Sequence, residues 1–162
     1  MATDTFIKIG DVKGESTDDK HKDEIDVLSW GWGATQSGYA HLGGGAGAGK
    51  VNIQDLSFVH YVDKSTPVLL QALADGTHFK DAKLCVRKAG GKEAIEYIVI
   101  TMEEVFITSI QTGGHGGEDK LTETVSLNFG LVKFDYQPQK KDGSKDGGAI
   151  KFGWDIEKNK KA

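Results

Sequence analysis

One cysteine, two prolines and no long apolar run set the first limits on this 162-residue chain. A lone thiol, Cys85, cannot close an internal disulfide. It reads as an incidental reduced thiol on the polar side of a short strand with Lys83 and Arg87, opposite Ala82, Leu84 and Val86. No apolar stretch approaches the ~20 residues of a membrane helix. Met1–Asp4 lack the basic start and apolar core of a signal peptide, so any export is expected of folded protein with no cleaved leader. The net charge of −4 speaks against a nucleic-acid or anionic-membrane partner. The basic end, Lys158–Ala162, is expected as a solvated tail.

Signatures of chemistry are equally scarce. There is no Gly-x-Ser-x-Gly elbow and no Asn-x-Ser/Thr site. The five histidines, His21, His41, His60, His78 and His115, show no i, i+4 pair and no neighbouring cysteine, so they are expected at the surface with no metal site. Glu103 and Glu104 are adjacent on a strand and point opposite ways, a poor acid–base dyad. Gly44-x-x-x-x-Gly49-Lys50 approaches a phosphate loop. However, Val51 stands where Ser or Thr must hold magnesium, and a strand follows instead of a helix. Gly43-x-Gly45-x-x-Ala48 lacks a βαβ unit around it. Asp142-x-Ser144-x-Asp146-Gly147 opens like a calcium loop, but its twelfth position is Gly153, and a solvated turn is the better reading. Nothing here calls for an enzyme or a cofactor.

What the chain has is glycine, 22 residues of it, and β-pattern. Strands are expected at Thr5–Gly10, Ile25–Ala34, Val51–Val59 (with a phase change between Ile53 and Leu56), Lys80–Ala89 and Ile150–Glu157. Two longer strands lie between Ile95 and Tyr136. One helix is signalled by Thr66 as N-cap, Pro67 at the first helical position, an apolar stripe through Leu69, Leu70, Ala72 and Leu73, and a stop at Gly76. The length suits one domain, residues 1–162, burying about 70% of its unfolded surface. The fold class is all-β, mainly antiparallel: a small barrel or two-sheet sandwich with one short flanking helix.

The long strands are the most telling feature. Ile95, Tyr97, Val99, Val105 and Ile107 alternate with Ile98, Ile100, Met102, Phe106 and Ile110, so both faces read as apolar. The return strand shifts phase near Gly130, and Val132, Phe134 and Tyr136 follow. A small chain has little material to cover two faces, and another copy of itself is the simplest cover. Ile98, Ile100, Met102, Phe106, Val132, Phe134 and Tyr136 are therefore candidates for a subunit interface. Trp30 and Trp32 read as core. Across from them Ser29, Gly31 and Gly33 form a strip with almost no side chain, suited to an open space or a close backbone.

Several stretches resemble the Hcp (haemolysin-coregulated protein) family of bacterial type VI secretion systems. They are Phe6–Ser16, Glu24–Leu28 with Trp30 and Trp32, Lys50–Phe58, Asp63–Pro67, Gly116–Asp119, Tyr136–Gln139, and Gly147-Gly148 before Phe152–Trp154. The match keeps its order and spacing over essentially the whole chain. The resemblance implies a homohexameric ring with a wide channel, rings stacked into a tube, and a contractile sheath that drives the tube behind a spike. It also implies shedding of the tube to the medium and small effector proteins carried in the lumen. Some relatives carry a toxin domain after the barrel, and with the last strand so near Ala162 none is expected here. On these residues, Ser29, Gly31 and Gly33 become candidates for the lumen wall. Gly43, Gly44, Gly45, Gly47, Gly49 and Lys50 become candidates for ring stacking. The rival readings are a monomeric β-barrel holding a ligand on its tryptophan strand, and a secreted hydrolase with an unrecognised site.

Overall fold

A computed structural model describes residues 3–38, 49–90 and 93–162, and its strands close into a barrel. β1 (Thr3–Ile9) must find antiparallel neighbours on both edges if Phe6, Ile7 and Ile9 are to leave water, and they are all buried. One neighbour is β2 (Ile25–Asp26) and the other is β7 (His78–Gly90). The strand β3 (Ser29–Gly31) follows β2 directly and pairs instead with β6 (Leu56–Tyr61). From β6 the sheet continues through β9 (Thr122–Asn128) to β8 (Glu93–Thr112), which returns to β7. The expected single strand Ile25–Ala34 is thus broken. It changes partner at the barrel corner, where the Val27 amide donates to Thr5 (2.9 Å) and the Leu28 amide to Val59 (2.8 Å). Beyond it, β4 (Ala34–Thr35) and β5 (Asn52–Ile53) form a separate short pair.

Residues Ser65–Asp75 form the helix α1, with Leu69 and Ala72 buried against the barrel. Its start lies earlier than the expected Thr66 cap. The Asp63 carboxylate accepts the Ser65 amide at 2.8 Å and the Ser65 hydroxyl, while the Asp63 amide donates to Thr66 Oγ1 at 3.2 Å. The stop is as expected: Gly76 takes φ 71° and its amide caps Ala72.

β8 is a single 20-residue strand and carries the main correction to the sequence reading. Ile100 and Met102 are buried before Glu103–Glu104, and Val105 and Ile107 after it. Even positions face the core first and odd positions later. The switch occurs at Glu104, a non-glycine residue at φ 53°, with both glutamates exposed. The left-handed backbone there kinks the strand and re-aims every side chain beyond it, while the pairing with β7 stays in register from Asp81–Glu103 to Phe79–Val105. The return segment changes phase at the same level. Phe129 is core, Gly130 donates to the Glu103 carbonyl (3.0 Å), and Val132 is core again. Two apparent apolar faces are therefore one face, read through a kink. The other side is polar here: Lys8 pairs with Lys83, Lys83 with Thr101, and Thr101 with Lys133.

Ile100, Met102 and Val132 show no exposed surface, so they are the chain's own core and not subunit-interface residues. Before the kink, Ile98–Glu103 of β8 pair with β10 (Leu131–Tyr136), which carries β11 (Ile150–Asp155) and β12 (Lys160–Lys161). This wing stands off the barrel. The basic tail is not simply solvated, since Lys160 and Lys161 pair with Asp155 and Trp154. Asp142 closes the expected turn, accepting the Ser144 amide at 2.9 Å.

Candidate assembly surfaces

The register of the wing draws apolar side chains into rows on the core side. Ile100, Phe134 and Phe152 form one row, Met102, Val132 and Trp154 a second, and Ile98, Tyr136 and Ile150 a third. The first two rows start inside the barrel and the third at half-buried Ile98, and all three run outward. Burial falls along it: Ile100 is wholly buried, Phe134 half-buried, and Phe152 44% exposed. At the outer edge Ile150 is 65% exposed. Trp32 reaches across to the wing, its ring centroid 6.2 Å from Phe134 and 6.4 Å from Phe152. Its indole N–H donates to the Gln54 carbonyl at 3.1 Å. Both tryptophans are half-buried, and Trp32 spends its ring on this packing.

The outcome is an apolar shelf on an edge wing, continuous with the core of the chain. Of the interface residues expected from sequence, Phe134, Tyr136 and Ile98 lie on it, at partial exposure. Phe106 lies elsewhere, half-buried beside the His78 ring at 5.1 Å. Ile150 and Phe152 were missed, although their alternation with Lys151 and Gly153 signals the strand. Periodicity gives a strand its faces. It does not say where the strand outruns its cover.

Ser29 and Gly31 are exposed, and a Cβ added at Gly31 would meet nothing within 4 Å. Gly33 is half-buried, with Gln54 Oε1 3.4 Å from where its Cβ would stand. Gly49 has Ser37 Cβ 3.2 Å from its missing Cβ, so the glycine permits a close approach of the two loop ends. Lys50 is exposed. Gly43, Gly44, Gly45 and Gly47 lie outside the described residues.

Polar groups that resemble chemistry resolve into structure. His60 Nε2 lies 2.7 Å from Glu123 Oε1, and Thr66 Oγ1 donates to the same oxygen at 2.8 Å. All three residues are buried, which ties the start of α1 to β6 and β9 and leaves no access for a substrate. His60 and His21 are thus interior, against the surface positions expected for them. Cys85 is buried as well, because the loop between β1 and β2 covers the outer side of its strand. In that cover, the Phe6 and His21 rings stack at 4.4 Å, and Arg87 bonds Asp18 and Asp4.

The comparisons with known proteins agree along the chain. A family model described as "Type VI secretion system effector, Hcp" matches residues 6–136. Protein hcp1 of Pseudomonas aeruginosa is 62% identical over 162 residues, covering 100% of both chains. A solved structure of a type six secretion system protein superposes with a TM-score of 0.91 at 33% identity, covering 99% of this chain and 100% of the other. The structure of Hcp1 from Salmonella typhimurium gives a TM-score of 0.81 at 39% identity, covering 100% of each. The core, the barrel and these relatives place the chain in the Hcp family, as a structural tube protein of the type VI secretion system.

Proposed function

We propose that this chain closes into a six-membered ring by seating the apolar shelf of each wing on the next copy. The rings would stack into a tube that a contractile sheath drives behind a spike. The observation that carries the reading is the exposed pair Ile150 and Phe152 at the edge of a continuous core. A contact in which one patch meets a different patch gives a ring when its rotation closes. Ile98, Phe134 and Tyr136 would join the contact, with Phe106 at a second margin.

Ser29 and Gly31 are assigned to the lumen wall, with Gly33 at its border. The open space around Gly31 supports this, since a wall without side chains leaves room for small effector proteins. The glycine loop, including Gly43, Gly44, Gly45, Gly47, Gly49 and Lys50, is assigned to contact between rings. Release to the medium would follow the folded route, without cleavage of a leader. In a bacterium lacking its own Hcp protein, the chain should restore its own appearance in the medium, and Phe152→Asp should not. Secretion of Phe152→Asp at the parent level would refute the shelf as the ring contact.

A further inference from the structure

We propose that His21, Cys85 and Glu96 form a binding site for a divalent transition metal of the zinc type, on the outer side of the barrel. The sequence spacing offers no such site. The register of the sheet builds it by bringing together the β1–β2 loop, β7 and β8. One ligand atom from each residue lies within 4.8 Å of the others. His21 Nε2 stands 3.8 Å from Glu96 Oε1, close to the about 3.4 Å that bonds of ~2.0–2.2 Å make at a tetrahedral angle. The Glu96 side chain is half-exposed and can turn to close the difference.

The imidazole is already set up as a ligand. His21 is 6% exposed, and stacking on Phe6 at an interplanar angle of 9° fixes its plane. Its Nδ1 lies 2.8 Å from Glu24 Oε2. A carboxylate accepts, so in the neutral ring Nδ1 carries the proton and Nε2 keeps its lone pair. Among the described residues Nε2 has no hydrogen-bond partner. A carboxylate behind one nitrogen and a metal before the other is how proteins commonly orient ligating histidines.

Cys85 supplies the soft donor that selects zinc over magnesium or calcium. Near neutral pH a buried cysteine such as Cys85 is an S–H group in the metal-free chain. Binding forms the S–metal bond as the S–H bond breaks, and the proton leaves to solvent. Two of the ligands, His21 and Glu96, line a cavity of about 500 Å³ together with Lys20, Arg87, Glu93 and Lys145 among others, which admits water to the fourth position. Of the cations facing the site, Arg87 is held by Asp18 at 2.5 Å and Asp4 at 3.2 Å. Lys20, Lys145 and Lys83 oppose a cation and set a limit on affinity.

Titration of the full chain with Co²⁺ tests the site, because a thiolate bound to cobalt absorbs in the near ultraviolet. The expected result is one Co²⁺ per chain with that band, displaced by Zn²⁺, and about one proton released per metal near neutral pH. Glu96→Gln, a change at the surface, should weaken binding at least about tenfold. Cys85→Ser should abolish the band; if that variant does not fold, Glu96→Gln carries the test. Glu118→Gln, beside the exposed His115, should change nothing. Absence of a thiolate band, or equal affinity in Glu96→Gln and the parent chain, would overturn the proposal.

Discussion

Replacing Ile150 and Phe152 together with serine should loosen the assembly while leaving each barrel folded. The two side chains expose 65% and 44% of their surface, so much of each is left for a second copy to cover. Covering the remaining surface of Phe152 removes roughly 70–110 Å² from water, about 2 kcal/mol at ~25 cal/mol per Å². Ile150 adds about 1–2 kcal/mol on the same scale. The contact therefore loses about 3–4 kcal/mol, a few-hundred-fold in its equilibrium constant. Sedimentation velocity over a dilution series reads this directly, as rings giving way to small species at far higher protein concentration. The melting temperature of the dissociated chain should fall only slightly, through the lost Trp32–Phe152 packing. A double variant that dissociates at the parent concentration would refute the reasoning, since the shelf would then bind nothing.

Other outcomes follow from the same structure. Glu104 holds φ 53° without being glycine, so Glu104→Gly should keep the fold and raise stability by about 1 kcal/mol, while Glu104→Val should lower it, both read from urea denaturation. Glu123→Ala strips partners from buried His60 and Thr66 and should cost about 2–5 kcal/mol, read from urea denaturation. Hydrogen bonding to Arg87 holds Asp18 down to about 2, below its unfolded value near 3.9. That stabilisation is complete above about pH 5 and disappears as pH falls through about 2. Asp18→Asn and the parent should accordingly differ in denaturation midpoint at about pH 6 and converge near pH 2.

Local signals in the sequence correspond closely to local structure. Thr66, Pro67 and Gly76 bracket the helix within a residue or two, and the alternation from Ile150 marks β11. The break between Ile53 and Leu56 separates β5 from β6. Failures occur where one residue changes the phase of a long strand. Glu103–Glu104 reads as two adjacent acids, and only the positive φ at Glu104 reveals the kink at which the buried face changes phase. With this correction the proposed neighbour contact moves to Ile150 and Phe152 from Ile100, Met102 and Val132. The cluster of His21, Cys85 and Glu96 was invisible for a different reason. Its residues sit on three elements, and their proximity depends on the pairing of β7 with β8 and on a loop laid over the sheet.

The central claim is that the wing's apolar shelf is covered by another copy of the chain in a closed ring. Native mass spectrometry of the purified protein tests it most directly. A dominant species of six chain masses, lost on replacing Ile150 and Phe152, agrees with the account. A single-chain species that persists at high concentration contradicts it.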